Sequence, residues 1–344
     1  MVGRQATLRG VLLVVTDERC ADHMAGTNHP ERPDRLRAAI DGVVQSGVHE
    51  AVELMSPRPA GDTELALVHT GDLVEHVRRV DAAGGGRLDP DTVMNRASLG
   101  AALLAAGSVV TAAEELVSRP GLRAAYSIVR PPGHHANADR SMGFCLFNSV
   151  AIGAAARAAE GERVAIVDID AHHGNGTQDI FYERDDVLFA SIHQSPLYPG
   201  SGALTERGTD AGVGTTINLP LPPGATGDVA RAGIAEVIAP SIEAFDPDWI
   251  FISAGYDGHR ADPITDLGYT SGDVADMVAD VMSMAPAGRC VVLLEGGYDL
   301  AAVRDCSAAV AAELLGERHR PEPSTSGGAG AEVVEAARRL HHDT

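Results

Sequence analysis

The segment RVAIVDIDAHHGNG, residues 163–176, sets two carboxylates and two imidazoles directly after an apolar run, an arrangement suited to binding a metal or carrying protons. It begins with the apolar run Val164–Val167, as expected of a strand covered on both faces. Asp168, Asp170 and His172 then alternate, so in extended chain they project to one side. Carboxylates with a neutral imidazole suit a divalent ion, with zinc the first expectation; a polar turn capping a helix is the plain alternative. A catalytic zinc uses three protein ligands and keeps a position for water. Asp170 and His172 supply two, and Asp257, in the glycine-rich turn AGYDGH, is the expected third, with turn formation as its other role.

His134 and His135, in RPPGHHA, are expected to handle protons. Each imidazole needs a partner to fix its tautomer, and Asp168 and Asn175 are available. A carboxylate raises imidazole basicity while an amide only orients it, so the two histidines should differ in pKa. Tyr298 follows Gly296 and Gly297, which let its loop approach the site. Its phenol could donate to a developing oxyanion, a role worth about 3–4 kcal/mol, or simply pack. Phe144 and Tyr198 could line an apolar channel or plug a core.

The elements that must position these groups alternate. Strands are predicted at 11–15, 124–129, 164–167, 187–192, 215–219, 249–253 and 290–294. Helices are predicted from near Asp34, over 97–117, 149–159, 228–244, 271–284 and 301–315, with 63–79 helical or mixed and 81–90 a glycine-rich loop. Alternation of this kind indicates an α/β fold whose mostly parallel sheet carries helices on both faces. Ligands of such sheets bind beyond the carboxyl ends of the strands. The candidate residues fall there four times: His134 and His135, Asp168 to His172, Asp257, and Tyr298. Residues 321–330 are rich in Pro, Ser and Gly and read as a linker, followed by a short helix over 331–340.

The 344 residues with 44% hydrophobic content suffice for one large core. No apolar run reaches a membrane-spanning length, and Val11–Val15 is too short for a signal core, so a cytoplasmic protein is expected. The four cysteines show no Cys-x-x-Cys spacing and read as reduced, mostly buried thiols. Net charge is −21, and all 27 basic residues are arginine. Without lysine there is no Walker A loop, and nucleic acid is not an expected partner. An acidic surface favours cationic partners such as polyamines or basic tails, or reflects solubility alone.

Together these motifs resemble the zinc-dependent histone deacetylase superfamily, closest to the class II and bacterial branch that includes acetylpolyamine amidohydrolases. The matching pieces are HPERPDRL (29–36), RPPGHHA (130–136), GFCLFNSVAI (143–152), VDIDAHHGNGTQDIFY (167–182), SIHQSPLYPGSG (191–202), SAGYDGHRADP (253–263) and LEGGYDL (294–300). They run in family order over about residues 10–315. The resemblance implies a single-domain, three-layer arginase/deacetylase-type fold with an eight-stranded parallel sheet. The catalytic domain would cover residues 1–316, leaving 317–344 as linker and tail. It implies one zinc on Asp170, His172 and Asp257, the pairs His134–Asp168 and His135–Asn175, and Tyr298 polarising the acyl carbonyl. Asn175 stands where class I members carry Asp. A channel of Gly143, Phe144, Tyr198 and Gly297 is implied, as is a potassium-like ion near Asp168, Asp170, His172, Ser191 and Ile192.

The expected activity is hydrolysis of an N-acetylated amine such as acetyl-lysine in proteins, with acetylpolyamines or acylated small metabolites as the alternative substrates. A homo-oligomer could narrow the entrance. Three rivals differ in chemistry. A binuclear manganese ureohydrolase needs carboxylates where this chain has Gly174 and Gly255. A cysteine hydrolase would use Cys145, which lies between Phe144 and Leu146 and reads as a buried thiol. A non-catalytic acyl-lysine binder would lack a ligand or the tyrosine.

Overall fold

The computed structural model describes residues 10–342. The chain opens with β1 (Val11–Val15), α1 (Asp34–Gln45), β2 (Val52–Met55), α2 (Asp62–Leu65) and α3 (Gly71–Ala82). A two-stranded hairpin, β3 (Gly86–Arg87) with β4 (Val93–Met94), leads into α4 (Ser98–Ser118). There follow β5 (Leu122–Ser127), α5 (Ser149–Ala159), β6 (Val164–Asp168), α6 (Asn175–Phe181), β7 (Val187–Gln194) and β8 (Thr216–Leu221). The last third holds α7 (Gly227–Gly233), α8 (Ala239–Phe245), β9 (Trp249–Ala254), α9 (Ser271–Met282), β10 (Cys290–Leu294), α10 (Leu300–Leu314) and α11 (Ala331–His342).

Eight strands form one all-parallel sheet in the order β2-β1-β5-β10-β9-β6-β7-β8. Parallel strands need crossovers, and the helices between them cover both faces. Helices α1, α10 and α9 pack in series, while α3 and α5 each pack against α4. The inner strands β6, β7, β9 and β10 are buried at every position. That accounts for their unbroken apolar runs, which carry no alternation. Helix α4 is long and apolar enough to cross a membrane by length and composition, but most of it is buried in the core.

Several elements differ from the sequence expectation, among them α6, a seven-residue helix that no predicted element covers. β2 was not anticipated: it is a four-residue edge strand with Leu54 exposed, so its pattern carries little burial signal. The glycine-rich 81–90 segment contains the end of α3 and one arm of the hairpin. The expected helix 228–244 is helical throughout but takes a π turn over Ile234–Ile238 before α8. Pro240 has no N–H and crowds the preceding turn, and a wider turn relieves that.

The Pro/Ser/Gly stretch 321–330 runs against α9 and the loop after β9. Glu322 bonds His259 Nε2 and Arg260 Nη2, each at 2.6 Å. Thr325 meets both oxygens of Asp273, through its N–H at 2.8 Å and its hydroxyl at 2.7 Å. Helix α11 then lays Val334 and Ala337 inward beside β8 and α7, covering one sheet edge.

Candidate active site

Strand order explains how residues more than 160 positions apart converge. β5, β10, β9, β6 and β7 are consecutive neighbours in the sheet. Their carboxyl ends release, in that order, the His134–His135 loop, the Tyr298 loop, Asp257, the Asp170–His172 turn and the Tyr198 loop.

At the centre lie Asp170, His172 and Asp257, all buried, with one ligand atom from each within 4.8 Å of the others. Among the described residues this is the only such group of three or more His, Cys, Asp or Glu side chains. His172 Nδ1 sits 3.1 Å from Asp170 Oδ1 and 2.9 Å from Asp257 Oδ2. Burial alone would lower the His172 pKa, but Asp257 and Asp170 outweigh it and raise it to about 10. Burial likewise pushes Asp257 up, aided by Asp170. Two buried carboxylates converging on one imidazole nitrogen form a cradle with surplus negative charge. Its donor set of two oxygens and a nitrogen fits a divalent ion.

The two adjacent histidines are held differently. His134 Nδ1 is 2.9 Å from Asp168 Oδ2, and His135 Nδ1 is 2.7 Å from Asn175 Oδ1. Their rings lie 4.0 Å apart. Burial opposes charge on both, but Asp170 and Asp168 lift His134 well above the ordinary imidazole value. His135 has only an amide partner, so burial and then the neighbouring His134 hold it well below. The expected divergence of the pair thus has a clear physical cause.

Tyr298 is held from both sides. Its N–H donates to Asp262 Oδ2 at 2.7 Å, and the Arg35 guanidinium lies 5.0 Å from its ring centroid. Burial pushes its phenol well above the usual range, against a smaller pull from Arg35, so the hydroxyl keeps its proton. Phe144, in the left-handed region at φ 68°, stands edge-on to the Tyr298 ring at 5.9 Å and to His29 at 4.6 Å. A non-glycine residue in that region is uncommon and marks a constrained loop. Tyr198 lies edge-on to His135 at 5.2 Å and to His172 at 6.4 Å. Gly143, also at positive φ, presses on the His135 ring, and Gly297 O accepts from Arg35 Nε. Of the residues expected near a monovalent ion, Asp168 and Ser191 are register partners on β6 and β7, and Ser191 Oγ lies 2.9 Å from His193 Nδ1.

Several supporting residues went unassigned at the sequence level. Glu31, Arg35 and Arg130 are fully buried together. Arg130 clasps both Glu31 oxygens, and Arg35 Nη1 reaches Glu31 Oε1 at 3.1 Å. Burial raises the Glu31 carboxyl, but Arg130, His23 and Arg35 together bring it well below the ordinary range. Arg35 also donates to the carbonyls of Glu295 and Gly297, which fixes the loop that presents Tyr298. The signal was present in HPERPDRL: acidic and basic residues at four-residue spacing just before a helix. Cys145 is fully buried, and burial pushes its thiol well above the ordinary value. All four cysteines are free and buried.

The fold and site define an α/β protein of the arginase/deacetylase type, with a metal-competent triad beside paired imidazoles. The histone deacetylase domain model matches residues 29–314. The chain is 41% identical over 293 residues to a "Probable deacetylase" of Archaeoglobus fulgidus, covering 83% of this chain and 81% of that one. It is 38% identical over 303 residues to the "Histone deacetylase-like amidohydrolase" of Pseudomonas aeruginosa, covering 86% and 79%. The crystal structure of the HDA15 HD domain superposes with a TM-score of 0.88 at 35% identity, over 97% of this chain and 95% of that one. This chain belongs to the histone deacetylase family, and membership supports a hydrolase acting on the amide of acetylated substrates.

Proposed function

We propose that the protein is a zinc-dependent deacetylase that hydrolyses an N-acetylated amine such as acetyl-lysine in proteins, with acetylpolyamines and acylated small metabolites as alternative substrates. The observation that carries this reading is the buried Asp170, His172 and Asp257 triad flanked by two imidazoles, each engaged through Nδ1. Those three side chains would hold the zinc, which when bound acts as a Lewis acid and brings the pKa of water to about 7.

The chain's own residues supply the rest. His135, kept neutral, accepts the proton of the attacking water. Tyr298 keeps its hydroxyl proton and donates to the developing oxyanion. A protonated imidazole, His135 or His134, returns a proton to the leaving amine, giving acetate and a free amine. Phe144 and Tyr198 flank the acyl-bearing arm. Asn175, an amide beside His135, favours the class II and bacterial branch. A turnover panel of acetyl-lysine peptides, acetylpolyamines and longer acyl analogues, run on zinc-loaded protein, tests the assignment. Absence of amide hydrolysis across that panel would remove it.

A further inference from the structure

His135 is the first member of a single file of four side chains. Its Nδ1 lies 2.7 Å from Asn175 Oδ1, Asn175 Nδ2 lies 2.9 Å from Asn137 Oδ1, and Asn137 Nδ2 lies 2.6 Å from Asp179 Oδ2. The file has a direction, and the exposed carboxylate at its far end favours one of the two. A carboxylate accepts hydrogen bonds and donates none, whereas an amide has one face of each kind. Asp179 therefore draws the NH2 of Asn137 and leaves its oxygen for Asn175. Asn175 must then present its own NH2 to Asn137 and its oxygen to His135. The proton of His135 is thereby confined to Nδ1, and Nε2 is left bare.

Two further contacts agree with this polarity. The Asn175 NH2 also faces the His135 carbonyl and Met142 Sδ, each an acceptor at 3.5 Å. Asn137 is itself pinned: its N–H donates to Arg140 O at 2.9 Å, and its carbonyl lies 3.0 Å from His69 Nδ1. His69 Nε2 accepts from Asn148 N–H at 2.9 Å, so its proton is on Nδ1 and points at Asn137. His134 has no such requirement, because Asp168 fixes it directly. An asparagine partner on its own leaves either tautomer open by rotation of the amide.

We propose that Asn137 and Asp179 are positioning residues that act through Asn175 to hold His135 as the Nδ1–H tautomer. Asp179 supplies the direction and Asn137 transmits it. The inference rests on the reading of His135 as proton acceptor, but its main readout does not need turnover.

The experiment is long-range 1H–15N correlation NMR of the zinc-loaded protein, with the His135 signals assigned against a His135→Gln spectrum. Unsubstituted protein should show His135 as Nδ1–H alone. Asp179→Asn, which keeps shape but offers either face, should give a mixture of tautomers, and Asn137→Ala the same. Asp179→Glu should return the single tautomer. In steady-state assays Asn137→Ala should lower kcat by about tenfold with KM little changed. A single Nδ1–H tautomer persisting in both Asp179→Asn and Asn137→Ala would overturn the proposal, even with reduced kcat. Tautomer mixing in a protein that hydrolyses no acetylated amine would sustain the file and remove only the catalytic reading.

Discussion

Gly255 follows β9 and supplies no ligand atom of its own, yet Gly255→Ala should cost the protein its proposed zinc. A Cβ at this position would stand 1.9 Å from Asp170 Oδ2, 2.3 Å from its Cγ and 2.6 Å from its Cβ. Carbon atoms settle at about 3.5–4.0 Å, so the Asp170 Cβ must retreat by about 1 Å. Rotation of the carboxylate gives no relief, because the Cβ moves only with the backbone. Asp170 is fully buried and accepts from His172 N–H at 2.8 Å and Gly296 N–H at 2.9 Å. Overpacking of this kind costs about 1–3 kcal/mol. Loss of ligand geometry should weaken zinc by about a hundredfold. At a free zinc concentration one hundred times the dissociation constant, the unsubstituted protein gains about 2.7 kcal/mol, whereas a hundredfold weaker site gains only about 0.4 kcal/mol. Thermal unfolding with and without zinc, together with metal analysis, measures the difference. Gly100→Ala, on α4 with nothing within 4 Å of the added methyl, is the control. It should keep the zinc response and stabilise by about 0.5–1 kcal/mol. A full zinc complement and an undiminished zinc-induced shift in Gly255→Ala would refute the reasoning.

Other outcomes follow from the same geometry. Tyr298→Phe should cut turnover by about a hundredfold or more while zinc content stays intact; unchanged turnover would remove its role as hydrogen-bond donor. His69 is held at about 4 by burial. As pH falls below about 6.5 the unfolded chain takes up this proton and the folded chain does not. Stability should therefore drop between pH 7 and pH 5 by about 2 kcal/mol from this residue alone. Urea titrations of His69→Gln should lack that share, and an identical pH slope would count against it. Cys145→Ala should retain activity to within a few-fold, because the thiol is buried and protonated; abolished turnover in a folded, zinc-loaded variant would reopen nucleophilic catalysis.

Much of the site was legible because its chemistry sits where strands end. Val164–Val167 announced a buried strand, and the polar residues after it had to gather on one side. The sheet order, which puts β9 between β6 and β10 and so carries Asp257 to Asp170 and His172, is not written locally. Residues that act through distant partners were harder to see. Arg130 and Glu31 are 99 positions apart, and neither reads as buried until the other is beside it. Asp262 looks like part of a surface turn, yet it holds the Tyr298 backbone. Asn137 lies two residues beyond His135 and gives no sign of its role until Asp179 is placed opposite. The edge strand β2 and the π turn escaped for a different reason: one is half exposed, and the other is a local answer to a single proline.

The grip of Glu322 on His259 and Arg260 has a practical consequence. The family-matched span closes at residue 314, so anyone trimming the chain to that limit discards the clasp along with the tail. The loop set free is the one that carries Asp257 at its start and Asp262 at its bend. Shortened protein would keep every residue the family model covers and still present a slack ligand and a drifting phenol. Weak activity in such a preparation would speak of where the scissors fell, not of the enzyme.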